Sequence, residues 1–164
     1  METLPARDAV ALLASAAVGR VVFTVAALPA VVPITFAVHG DAVVMRTGAD
    51  TRLASAADGG VLAFEADDVD PVARRGWSVV VTGIAEVVTD PVQRAVIYGL
   101  VEPFAPGAND VAVRLPLTVV TGRRVTGALL NGAVAPPAGV AVLSRRGASH
   151  HERPRPPGAR AAPP

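Results

Sequence analysis

The sequence predicts a small, mainly β, antiparallel barrel carrying a few short helices. Three observations lead there. Of the 164 residues 51% are apolar but only 4% aromatic, the excess being valine and alanine, and runs rich in β-branched residues favour sheet. Most of these runs are joined by short turn signals, which implies antiparallel pairing and a small barrel. The longest run, Trp77 to Val88, is apolar on both alternating faces, as expected of a strand covered on both sides.

Taken in order, Leu4 to Ala17 carries apolar residues at helical spacing (Val10, Leu13, Ala14 and Ala17), with Pro5 suited to the first turn and Gly19 ending the helix. Arg20 to Val25 then alternates as a strand, with Val21, Phe23 and Val25 on one face. After a weak turn at Ala26-Ala27-Leu28-Pro29 comes a strand from Ala30 to Val38, in which Pro33 has no amide to donate and marks an edge or a bulge. His39-Gly40-Asp41 is a tight hairpin connection into Ala42 to Arg46. A helix follows from about Asp50 to Ala57, then the turn Asp58-Gly59-Gly60 and a strand from Val61 to Ala66. Asp67-Asp68-Val69-Asp70-Pro71 reads as an acidic loop. Within Trp77 to Val88, Gly83 is expected to bend the strand. Thr89-Asp90-Pro91 starts a helix over Val92 to Val101, Pro103 to Asn109 is a loop, and Val111 to Val125 is a last strand broken by Pro116. The expected domain, residues 1–126, thus has about six or seven strands. From 127 to 164 the composition turns to Gly, Ala, Pro and Arg with no hydrophobic period, which reads as a disordered tail.

Composition excludes several kinds of chemistry. A net charge of +1 is too weak to suggest a nucleic-acid partner. All basic residues are arginine, which rules out a Schiff-base or P-loop lysine, and the absence of cysteine rules out disulfides and thiolate sites. The uncharged runs Val21–Val38 and Val125–Leu143 are interrupted by Pro29 and Pro33, and by Gly127, Asn131, Gly132 and Pro136-Pro137, so no membrane span is expected. With Glu2, Arg7 and Asp8 near the start, a signal peptide is not expected either, and the default location is cytoplasmic. No nucleophile elbow, nucleotide-binding glycine fingerprint or His-Glu-x-x-His is present. His39 lies in a hairpin and His150 and His151 in the tail. Glu65, Asp67, Asp68 and Asp70 lack calcium-loop spacing, so no metal site is expected.

One stretch does suggest binding. Val43-Val44-Met45-Arg46-Thr47-Gly48-Ala49-Asp50-Thr51-Arg52-Leu53 is an apolar run ending at an arginine and a hydroxyl, turning through Gly48 and reaching a second arginine near a helix start. A strand end and a helix start of this kind can jointly hold a phosphate. Both Arg46 and Thr47 can reach one phosphate only if the strand ends there, since neighbours on a strand point to opposite faces. A phosphate-holding corner without an obvious acid, base or nucleophile suits a protein whose reactive group is a cofactor.

The run Val18-Gly19-Arg20-Val21-Val22-Phe23, the run from Pro29 to Asp41, and Val44-Met45-Arg46-Thr47 with Arg52-Leu53 together resemble the pyridoxamine 5′-phosphate oxidase-like, FMN-binding split-barrel family. The likeness continues through Phe64 to Asp70, Gly76 to Ala85 and Thr121-Gly122-Arg123-Arg124-Val125, covering residues 4–126; it is nearest to small actinobacterial-type members, which also resemble nitroimidazole-resistance proteins. The resemblance implies a split-barrel homodimer with FMN at each end of the interface. It implies phosphate contacts from Arg46 and Thr47, with Arg52 where many relatives carry lysine. It also implies backbone around Pro33, Ile34, Thr35 and Phe36 lining the isoalloxazine, Trp77 and Ser78 approaching from the partner chain, and Arg123 near the interface. The implied activity is FMN-dependent oxidation or reduction of a small organic substrate. The alternatives are a deazaflavin-dependent reductase of the same fold and a non-catalytic flavin- or haem-binding dimer. No catalytic base is nominated. The chain lacks the basic and aromatic C-terminal segment of the authentic oxidases, so their reaction is not expected.

Overall fold

The structure, a computed structural model, describes residues 1–103, 107 and 109–126. The tail expected from 127 and part of the loop after Pro103 lie outside the described residues.

The strands are β1 (Glu2–Leu4), β2 (Val18–Val25), β3 (Leu28–His39), β4 (Ala42–Thr47), β5 (Val61–Asp70), β6 (Arg75–Ile84), β7 (Glu86–Val87), β8 (Val111–Pro116) and β9 (Val119–Val125). The helices are α1 (Ala6–Leu13), α2 (Arg52–Ala57) and α3 (Pro91–Leu100). The strands form one nine-stranded sheet in the order β1-β9-β6-β5-β2-β3-β4-β8-β7, and every pair is antiparallel. The sheet curls until β6 meets β8, where a side chain at Gly83 would stand 2.9 Å from the Pro116 carbonyl. Gly83 is therefore a point of close backbone approach, as its place in a bent strand suggested. The result is the mainly antiparallel, curled half-barrel expected of a split barrel. No helix among the described residues is long and apolar enough to cross a membrane.

Local chemistry explains most boundaries. The Asp90 carboxylate caps α3 by accepting from Gln93 N at 2.8 Å, with Pro91 opening the helix. Thr51 caps α2, its hydroxyl accepting from Ala54 N at 3.1 Å. β3 changes partner along its length: Leu28 to Thr35 pair with β2, and Phe36 to His39 pair with β4. Pro33 thus sits where β3 is paired on one side among the described residues, the edge position its missing amide requires. At the β2–β3 turn Ala26 and Ala27 are held at φ 49° and 64°, the left-handed pair that a two-residue hairpin needs. Alanine is strained there, so Ala26→Asn with Ala27→Gly is expected to raise stability by about 1 kcal/mol, read as an upward shift in thermal midpoint.

The main core fills the barrel with Val21, Phe23, Val43, Met45, Leu62, Phe64, Val79, Val81, Val113 and Leu115, and α1 lies over it through Leu13. A smaller cluster of Val44, Val88, Ile97, Val101 and Ala112 seats α3 on the outside. β4 is therefore buried on both faces, with Val43 and Met45 toward the barrel and Val44 toward α3.

Several expectations are corrected. Among the described residues the sheet has nine strands, not six or seven. α1 stops at Leu13, and its covered residues are Ala9, Leu12, Leu13 and Ala16, a face about one position away from Val10, Leu13, Ala14 and Ala17. Gly19 does not end a helix but lies within β2, because the Phe64 ring packs over its α-carbon. The acidic segment is not a loop: β5 runs on to Asp70 and pairs with β6 to the end, Asp67 opposite Ser78 and Asp70 opposite Arg75. Arg20 makes this possible by bridging Glu65 at 3.0 Å and Asp67 at 2.5 Å. These hydrogen bonds, Asp67 first and then Glu65, raise the Arg20 pKa above its ordinary value. The turn then begins at Asp70, whose carboxylate accepts from Val72 N and Ala73 N. Trp77 to Val88 divides at Ala85, which bonds back to the Gly59-Gly60 backbone. Its outer face is only half covered, and Ile84 is exposed.

Candidate functional site

Alternation along β4 separates the two residues of the expected phosphate corner. Arg46 follows Val44 onto the α3 side, whereas Thr47 follows Val43 and Met45 toward the barrel. The Arg46 guanidinium lies 4.2 Å above the Tyr98 ring and donates from Nε to the Asn109 carbonyl at 3.1 Å and from Nη1 to the Val101 carbonyl at 3.2 Å. It is a strut between β4 and the segments flanking α3 and β8. Its Nη2 group makes no hydrogen bond to the described residues. Thr47, 6% exposed, shares a 2.9 Å hydrogen bond with the Thr51 hydroxyl, which also donates to Gly48 O at 2.8 Å. Arg52 stands exposed at the first turn of α2, without a hydrogen bond or ion pair among the described residues.

Thr35 joins Arg46 rather than the neighbouring β3 side chains. Its hydroxyl donates to the Glu102 carbonyl at 2.6 Å, one residue beyond the carbonyl that Arg46 holds. Phe36 pairs with Met45, so one further step of register sets Thr35 against Arg46. Ile34 and Phe36 point into the core, at 9% and 7% exposure, and Pro33 is exposed. Any guest along this stretch meets backbone, Thr35 and the Pro33 ring.

The third group is on the other flank of the sheet. Ser78 pairs with Arg123 and Trp77 with Arg124, and Trp77, Ser78 and Arg123 line one groove of about 420 Å³. In sheet order three strands separate β6 from β4, a path of roughly 19 Å along the sheet at the usual inter-strand spacing. The expected site residues thus fall into four sets: Thr35 with Arg46, Thr47 beside Arg52, Ser78 with Arg123, and Trp77, which alternation turns to the other face of β6, where it packs against the main core.

Sequence reasoning missed the partners that organise Arg46. Tyr98 and Arg94 are four apart on α3, the spacing of neighbours on a helix; Arg94 Nη2 donates to the Tyr98 hydroxyl at 3.0 Å and to Asp110 O at 3.2 Å, and the Tyr98 hydroxyl itself donates to Asp110 O. The i, i+4 arginine–tyrosine pair was visible; its closeness to Arg46 was not. The phenol also raises the Arg94 pKa from its ordinary value, through that hydrogen bond.

Residues 5–124 match the family model described as pyridoxamine 5′-phosphate oxidase. An uncharacterized protein of Mycobacterium tuberculosis, Rv0080, is 46% identical over 123 residues, spanning 72% of this chain and 81% of that one. The FAD-binding protein of Mycobacterium smegmatis superposes with a TM-score of 0.65 at 38% identity, over 76% of this chain and 98% of that one. A Corynebacterium glutamicum structure with the provisional name pyridoxamine 5′-phosphate oxidase gives a TM-score of 0.67 at 31% identity, over 76% of this chain and 92% of that one. The strand order fits these matches, and the chain belongs to the pyridoxamine 5′-phosphate oxidase family.

Proposed function

We propose that the chain binds a flavin nucleotide, FMN itself or the FMN moiety of FAD, in the seam of a homodimer, for redox chemistry on a small organic substrate. The observation that carries the reading is the 38% identity to a protein described as FAD-binding, matched over 98% of that protein's length. The residues present fit such a guest. Arg46 retains its Nη2 donors, while Arg52 and Arg123 have no partner among the described residues, and forked donors suit a phosphate. Between Leu28 and Thr35 one edge of β3 is unpaired among the described strands, leaving backbone donors and acceptors for the polar edge of a planar ring.

The separation of the Trp77 groove from the β3–β4 corner supports a dimer. A two-fold partner can present its own Trp77, or Ser78 with Arg123, to the corner of the first protomer. A bound flavin supplies the hydride- or electron-transfer chemistry. β4 ends at Thr47, so the chain's own part is to hold the phosphate at that strand end, Arg46 from the α3 side and Thr47 and Arg52 from the other, to orient the ring on the β3 backbone, and to exclude water with Trp77.

Titrating the purified protein with FMN and with FAD tests this. Saturable uptake, with flavin absorbance that bleaches on adding a reductant, is the expected result. Uptake of neither flavin removes the proposal, and uptake of haem or a deazaflavin instead replaces its cofactor.

A further inference from the structure

Tyr98 is tied to Arg46 more closely than seating α3 requires. Ile97, 2% exposed, already joins the helix to the cluster of Val44, Val88 and Ala112. Tyr98, one residue on, is half-buried, and the Arg46 guanidinium lies over its ring, 4.2 Å from the centroid. The phenol is itself fixed at its far end, where the hydroxyl donates to Asp110 O and accepts from Arg94 Nη2 at 3.0 Å. Arg46 meanwhile gives Nε to Asn109 O and Nη1 to Val101 O. Two in-plane bonds leave a guanidinium able to pivot about the line joining their acceptors, and a ring against its face removes that pivot. What stays open is Nη2, the one nitrogen of the Arg46 guanidinium without a hydrogen bond to the described residues.

From this arrangement we propose that Tyr98 is a positioning residue, which holds the Arg46 guanidinium so that Nη2 is presented to an anion before the anion arrives. The proposal rests on the reading of Arg46 as a phosphate contact. An arginine side chain has many rotamers, and ordering it during binding costs affinity; one already held by a tyrosine and two carbonyls avoids that cost. The same frame reaches β3, because Thr35 donates to Glu102 O, next to the carbonyl that takes Nη1. Leucine or methionine at position 98 keeps apolar bulk but has neither an aromatic face nor a hydroxyl. Phenylalanine keeps the face and loses only the ties to Asp110 and Arg94. Phosphate recognition should therefore be strongest with tyrosine, slightly weaker with phenylalanine and weakest with the aliphatic side chains.

FMN and riboflavin differ only in the phosphate, so the ratio of their dissociation constants isolates what a phosphate contact contributes. Full-length, flavin-free wild type, Tyr98→Phe, Tyr98→Leu and Tyr98→Met are titrated with each. The wild type should prefer FMN. Tyr98→Leu and Tyr98→Met should lose about tenfold or more of that preference while riboflavin affinity changes by about twofold or less, and Tyr98→Phe should keep most of it. In an Arg46→Ala background Tyr98→Leu should change the ratio no further. Equal weakening of FMN and riboflavin would make Tyr98 a support of α3 only and overturn the proposal, as would a preference left intact by the aliphatic variants or an effect that persists without Arg46. Either aliphatic variant suffices if the other does not fold. A wild type that binds the two flavins alike removes the phosphate reading itself, and the proposal falls with it; a preference for FMN that ignores position 98 removes the proposal alone.

Discussion

Replacing Phe64 by alanine is expected to lower the free energy of unfolding by about 3–5 kcal/mol, the usual cost of emptying a phenylalanine site in a closed core. Phe64 is fully buried, contacts Phe36 with ring centroids 4.6 Å apart, and lies directly over Gly19 of the neighbouring strand. Pairing of Val21 with Phe64 and the Arg20 bridges to Glu65 and Asp67 hold β2 and β5 in register there, which limits collapse into the space. The reciprocal change makes the same point: a methyl group at Gly19 would overlap the Phe64 ring and stand 2.7 Å from the Glu65 carbonyl. Gly19→Ala is thus expected to destabilise, and combining it with Phe64→Leu should cost less than the two changes add up to, since the smaller side chain leaves room. Chemical denaturation of the three variants measures this directly.

Arg46→Ala is expected to act twice. Without any cofactor it strands the Val101 and Asn109 carbonyls and removes the cation from Tyr98, a loss of about 2–3 kcal/mol in stability. Arg46→Lys should recover little of this, because one ammonium cannot reproduce the fork. Arg52→Ala, at an exposed position, should leave the melting temperature nearly unchanged. With flavin present the two arginines should act together, the double variant losing on the order of 2–5 kcal/mol of binding. Thermal melts of the flavin-free proteins separate the first effect from the second. An Arg46→Ala protein that is less stable but binds flavin with native affinity would keep the strut and remove the phosphate contact.

Much of the fold was legible because local chemistry and tertiary structure agree. Asp90-Pro91 both caps and opens α3, Gly40-Asp41 turns β3 into β4, and Pro33 occupies the one-sided part of β3. The errors arose where a distant partner overrules the local signal. Asp67 reads as loop until Arg20, 47 residues away, neutralises it across the sheet. Gly19 reads as a helix stop until Phe64 needs its missing side chain. At the site, the sequence placed Arg46 and Thr47 side by side, and alternation sends them to α3 and to the barrel respectively. Tyr98 and the two carbonyls that hold Arg46 come from 52 to 63 residues downstream, beyond what spacing along one strand and one turn could reveal.

The most direct test of a flavin held between two copies is the mass of the intact assembly. Native mass spectrometry of the full chain after incubation with FMN or FAD should give two protomers carrying two flavins, with the variant lacking both Arg46 and Arg52 side chains losing the flavins. A protomer that stays single, or a dimer whose mass is unchanged by either flavin, would contradict the account.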